Sequence, residues 1–101
     1  MIRKRVIVRG RVQGVGFRWA AQAEAETLGV AGYVRNLPDG TVQAELEGPE
    51  TAVQRMLAWL HHGPPHAVVH GIDITDLDPT SDDHTDHDGD SSSRGNRFRI
   101  R

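Results

Sequence analysis

Val6-Ile7-Val8-Arg9-Gly10-Arg11-Val12-Gln13-Gly14-Val15-Gly16-Phe17-Arg18 opens on a β-branched run and ends where a helical period begins. It therefore reads as a strand that feeds a helix through a glycine-rich loop. Three glycines in the seven residues Gly10 to Gly16 permit a tight turn, and with no Cβ in the way successive backbone N–H groups can converge on a ligand. The helix adds its unpaired N-terminal donors and the positive end of its dipole. Arg18 adds a planar, permanently charged fork. These features suit a bound anion, above all a phosphoryl group. The loop lacks the Gly-Lys-Ser/Thr ending of a nucleotide-binding loop, and Trp19 stands where G-x-G-x-x-G needs its third glycine, so a nucleotide site is disfavoured. Glycines that only shape a tight connection would leave the same pattern.

Outward from this stretch the chain changes period cleanly. Residues 3 to 9 form a strand, and a helix over 18 to 28 carries Phe17, Ala21, Ala25 and Leu28 on one face before Gly29 caps it. Val30 to Asn36 is a second strand, followed by the turn Leu37-Pro38-Asp39-Gly40. In the third strand Val42, Ala44 and Leu46 oppose Thr41, Gln43, Glu45 and Glu47, the alternation of a sheet with one wet face. A second helix opens at Pro49, and its stripe of Val53, Met56, Leu57 and Leu60 ends before Gly63-Pro64-Pro65. Residues 67 to 75 form a fourth strand with Val68, Ile72 and Ile74 on one face, and Phe98 to Arg101 a short fifth. The order βαββαβ plus a terminal strand predicts an α+β, ferredoxin-like sandwich, an antiparallel sheet with both helices on one face. That fold hosts many activities, so function has to be argued from the site.

Composition limits the candidates. With 101 residues, 37% of them hydrophobic, the chain makes one domain (1–101), large enough to bury roughly 65% of its unfolded surface without staples. The absence of cysteine removes disulfides, thiolate nucleophiles and Cys-based zinc sites, and suits a reducing compartment. The N-terminal apolar run is too short for a signal or membrane segment, so a cytoplasmic protein with no membrane partner is expected. The net charge of −2 is uneven: seven aspartates lie between Asp76 and Asp90, leaving all 12 Lys and Arg against seven acidic groups elsewhere. The basic body could attract phosphate-bearing molecules or nucleic acid, or its charges could simply line a solvated strand face.

The second strand ends at Gly32-Tyr33-Val34-Arg35-Asn36. If it lies beside the strands that hold the loop, the Asn36 amide could approach a phosphate there and hold a water in line with phosphorus, since an amide both donates and accepts. Asn36 could equally be a turn residue before Leu37-Pro38.

These residues resemble the acylphosphatases. The resemblance rests on Gly10 to Arg18, on Gly32 to Asn36 with the Leu37-Pro38-Asp39-Gly40-Thr41-Val42 that follows, on Gly48-Pro49-Glu50 and on Phe98-Arg99-Ile100-Arg101. It implies metal-independent hydrolysis of the carboxyl–phosphate bond of small acyl phosphates, with inorganic phosphate as product; a monomer with no cofactor and no bound metal is expected. It also implies that Arg18 binds the phosphoryl group together with backbone N–H groups of Gln13, Gly14, Val15, Gly16, Phe17 and Arg18, and that Asn36 places the attacking water. The chemistry agrees, because a good leaving group needs clamping and positioning more than a tuned general base.

The chain departs from the family over residues 76 to 95, where low hydrophobicity and like charges suggest a flexible acidic loop at about 77–95. Asp82, His84, Asp86, His87 and Asp88 match no EF-hand or zinc spacing. The competing readings are a phosphate- or anion-binding module without catalysis and a nucleic-acid-binding ferredoxin-like module. The latter would place aromatics on an open sheet face, whereas Phe17, Trp19, Tyr33, Trp59 and Phe98 fall mostly at helix or core positions, so no nucleic-acid partner is expected.

Overall fold

The computed structural model describes residues 1–79 and 97–101. Its elements are β1 (Ile2–Arg11), α1 (Phe17–Leu28), β2 (Ala31–Asn36), β3 (Val42–Gly48), α2 (Glu50–Leu60), β4 (Val68–Leu77) and β5 (Phe98–Ile100). The strands form one sheet in the order β4-β1-β3-β2-β5. The first four are antiparallel, but β5 joins β2 in parallel, so the sheet is mixed.

Alternation decides which face is dry. Val6 and Val8 of β1, Ala44 and Leu46 of β3 and Val34 of β2 are buried beneath the helices, as a period of two requires. The helices meet them with Phe17, Ala21 and Ala25 from α1 and Val53, Met56, Leu57 and Leu60 from α2; Leu28 is only partly buried. Gly29 ends α1 in the left-handed region, and the Val30 N–H donates to the Ala25 carbonyl, so the orphan carbonyls are satisfied as the helix stops. Pro49 sits just outside α2 as its N-terminal cap rather than within its first turn.

Two expectations need correction, for one reason. β1 runs on through Gly10 to Arg11, because the ladder to β4 slips by one residue between Arg9 and Gly10, leaving His70 unpaired. A Cβ on Gly10 would stand 2.1 Å from the Val68 carbonyl oxygen. Gly10 therefore serves this close strand approach, and the anion loop proper contains only Gly14 and Gly16. The same bulge switches the faces at the start of β4. Val69 and Ile72 pack on the core, while Val68 points away and is 49% exposed; Ile74 shares the helix side but lies at the sheet edge, 45% exposed. β4 also extends past residue 75, since Asp76 and Leu77 pair with Lys4 and Arg3. Leu77, where the flexible loop is expected to start, is thus still a paired strand residue, and the loop's residues 80–95, with the Asp and His of the metal question, lie outside the described residues.

On the helix-free face Glu45 is only 8% exposed, although it stands on the wet side of β3. Arg3 donates to it at 2.8 Å and Arg5 at 3.2 Å, and the Tyr33 hydroxyl donates at 3.0 Å. Burial raises its carboxyl pKa, but the bonds from Arg3, Tyr33 and Arg5 outweigh burial and hold it below the usual range. Burial, followed by the bond to Glu45, raises the Tyr33 phenol. A carboxylate with a depressed folded-state pKa stabilises the protein above its unfolded pKa, and that contribution is lost as pH falls through the folded value. Glu45→Gln should cost about 1–3 kcal/mol at neutral pH. The gap to wild type should close as pH falls from about 5 towards 3. Denaturant titrations across that range check this; a constant gap would assign the cost to packing.

Candidate active site

β1 and β2 both run antiparallel to β3, so they point the same way with β3 between them. β5 points the same way again. The loop after β1, the C-terminal residue of β2 and the end of β5 are thus delivered to one end of the sheet, where α1 begins. Asn36 is not a neighbour of β1, as one expectation supposed. Instead Val42 of β3 pairs with Asn36 on one side and Val8 on the other.

Gly14 (φ 76°) and Gly16 (φ 78°) are left-handed, and a Cβ on either would meet nothing within 4 Å. Their requirement is conformational, not spatial. Gly16 caps α1 without any side-chain acceptor for the first-turn N–H groups, and no acidic residue lies in that turn. Its donors and dipole therefore face outward uncompensated. Phe17 wedges the start of the helix in place: its ring meets Trp59 edge-on at 5.6 Å, and a Cβ on Gly63 would stand 2.6 Å from it.

Gln13 braces the loop. Its amide nitrogen donates to the Leu37 and Thr41 carbonyls, both at 2.8 Å, tying the loop to the turn that follows Asn36. That turn is itself closed by Asp39, which accepts from the Thr41 hydroxyl and N–H; these bonds, the hydroxyl's first, depress the Asp39 pKa. The brace was not legible in the sequence, which offered Gln13 only as a backbone donor.

A cleft of about 260 Å³ opens here, lined by Val12, Gly14, Gly16, Phe17, Arg18, Trp19, Asn36 and Ile100. It holds Arg18 and Asn36 together, as the sequence motifs suggested. Gln13 and Val15 do not line it; the Val15 side chain packs on the core. Arg18 is exposed and forms no ion pair among the described residues, in contrast to Arg3, Arg5 and Arg9. Asn36 Oδ1 is buried, and no described donor reaches it. A buried acceptor without a partner is costly. The lining holds no carboxylate or imidazole, and no group of three or more potential metal ligands occurs among the described residues.

The helix-free face has a wider recess lined by Arg3, Tyr33, Glu45, Glu47, Arg97, Arg99 and Arg101, among others. There Arg3 is paired with Glu45, and Arg101 already covers the Tyr33 ring, 4.4 Å from its centroid. Of the aromatics expected mostly at helix or core positions, Trp19 does lie on α1, though exposed, whereas Tyr33 lies on this face.

The sequence and fold have counterparts among known proteins. The family model described as Acylphosphatase matches residues 4–88. An acylphosphatase of Anaeromyxobacter dehalogenans is 52% identical over 81 residues, covering 80% of this chain and 87% of the relative. One of Thermococcus kodakarensis is 51% identical over 73 residues, 72% of this chain and 80% of the relative. The crystal structure of acylphosphatase from Bacillus subtilis superposes with a TM-score of 0.82 at 38% identity, covering 100% of this chain and 99% of that one. With the match spanning both the glycine loop and the strand that ends in Asn36, the chain belongs to the acylphosphatase family.

Proposed function

We propose that the cleft binds the phosphoryl group of a small acyl phosphate between Arg18 and the backbone donors at the start of α1, with Asn36 holding the water that attacks phosphorus. The chain is a hydrolase of acyl phosphates, the activity of its family. The observation that carries the assignment of roles is Asn36 Oδ1, a buried acceptor without a described donor on the same cleft as an unpaired Arg18. A water that donates one hydrogen to this oxygen turns a lone pair towards phosphorus. The new bond joins water oxygen to phosphorus as the bond from phosphorus to the carboxyl oxygen breaks. The carboxylate leaves with the bonding pair, and the proton released by water is taken up by the phosphate product or the solvent.

Arg18 and the helix N-terminus counter charge on the phosphoryl oxygens, and an acidic leaving group needs no general acid, in keeping with a lining free of carboxylates and imidazoles. No cofactor or metal is assigned a step. The enzyme acts as a monomer in the cytoplasm on this reading, with no nucleic-acid partner. A lack of cysteine suits that compartment, and no described helix is long and apolar enough to cross a membrane.

Turnover of a simple acyl phosphate should persist in excess chelator, with competitive inhibition by inorganic phosphate. Activity that is lost in chelator and restored by Mg²⁺ or Zn²⁺ would overturn the metal-independent reading.

A further inference from the structure

Gly14, Gly16, Arg18 and Asn36 account for the phosphoryl end of the cleft, and every other lining residue is apolar. Val12 and Phe17 are buried and form its floor. Trp19 and Ile100 are different: the indole is 75% exposed and Ile100 37% exposed. Single exposed hydrophobic residues are ordinary, but five large ones are exposed among the described residues and two of them flank this one cleft.

Both walls are held by the fold. Phe17, next in the chain but one to Trp19, is locked against Trp59. On the other wall, the Arg101 N–H donates to the Val34 carbonyl and the Gln22 amide to the Phe98 carbonyl, which pins β5 on either side of Ile100.

We propose that Trp19 and Ile100 form an acyl-group subsite that selects acyl phosphates whose acyl group is uncharged and apolar, planar aromatic groups above all. This inference rests on the phosphoryl reading of the cleft. Once the phosphoryl group is seated against the loop, the acyl portion has to extend towards the mouth, between these two side chains. An aromatic acyl group gains contact with the indole beyond simple burial of area. A carboxylate- or phosphate-bearing acyl group finds no such gain. Arg18 is the one cation among the described lining residues, and it is already engaged by the phosphoryl group.

The test compares benzoyl phosphate with acetyl phosphate on wild type, Trp19→Ala, Trp19→Phe and Ile100→Ala, with inhibition by inorganic phosphate measured in each. In Trp19→Ala the benzoyl-to-acetyl ratio of kcat/KM should fall about five- to tenfold, chiefly through KM for benzoyl phosphate. Trp19→Phe should keep most of the ratio, and Ile100→Ala should lower it about two- to fourfold. Inhibition by phosphate should hold within about twofold throughout, because the phosphoryl end is untouched. A ratio unchanged in Trp19→Ala, with wild type hydrolysing both compounds, overturns the subsite alone. Parallel loss of both substrates and of phosphate inhibition also overturns it, by showing that Trp19 shapes the loop. A wild type that hydrolyses neither compound and ignores phosphate overturns the phosphoryl reading and the subsite with it.

Discussion

Arg18→Ala should lower kcat/KM for an acyl phosphate by about 10³-fold or more and remove inhibition by inorganic phosphate. Ground state and transition state both carry phosphoryl charge, so one lost guanidinium weakens binding and chemistry together. Arg18→Lys should recover little, because a point charge cannot reproduce two parallel hydrogen bonds to two phosphoryl oxygens. The protein should otherwise be unharmed: Arg18 is exposed and forms no ion pair among the described residues. Its thermal midpoint should move by no more than about 2 °C. Steady-state kinetics with phosphate as inhibitor, beside a thermal melt, separate the outcomes. Retained phosphate inhibition in Arg18→Ala would place the anion elsewhere, the paired arginines of the helix-free face being the first alternative.

The motifs told more about the site than about the sheet that builds it. Arg18 follows two left-handed glycines and Asn36 ends a strand just before Leu37-Pro38, each signal local to its own residue. What brings the two together is not local. β3 must lie between β1 and β2 for both to end at the same edge, and that order emerges from pairing across the whole domain. The β4 bulge is invisible for a similar reason. Val68, Ile72 and Ile74 have the spacing of one face, and only the slip opposite Gly10 turns Val68 outward. Gly10 looked like a third loop glycine because a close strand approach and a tight turn ask for the same missing Cβ. Ile100 reached the cleft through the parallel pairing of a three-residue strand, which no periodicity so short can announce. The Gln13 brace depends on side-chain reach to carbonyls 24 and 28 positions away, and composition carries no trace of it.

Asn36→Ala should part binding from chemistry. It removes no charge from the cleft, so inorganic phosphate should bind within about tenfold of wild type, while kcat falls roughly 10²-fold or more as the water loses its orientation. Asn36→Asp should fare worse in binding than Asn36→Ala. It keeps an acceptor for the water but sets a negative charge beside the phosphoryl group, so phosphate inhibition should weaken further even though the side chain is nearly isosteric. Stability supplies the control. A turn-forming Asn would show its loss in the melt, but Asn36 Oδ1 is a buried acceptor with no described donor, and removing it relieves a desolvation cost instead of breaking a bond. The turn is closed by other groups: Leu37 N–H to the Thr41 carbonyl, Gly40 N–H to the Leu37 carbonyl, and the Gln13 brace. Asn36→Ala should therefore melt at or slightly above the wild-type temperature while it turns over poorly, the pattern of a residue kept for activity at the expense of stability. If phosphate binding collapses in Asn36→Ala as it does in Arg18→Ala, Asn36 is a binding group and water is positioned by something else. If the melt drops by several degrees with turnover intact, it is a turn residue after all.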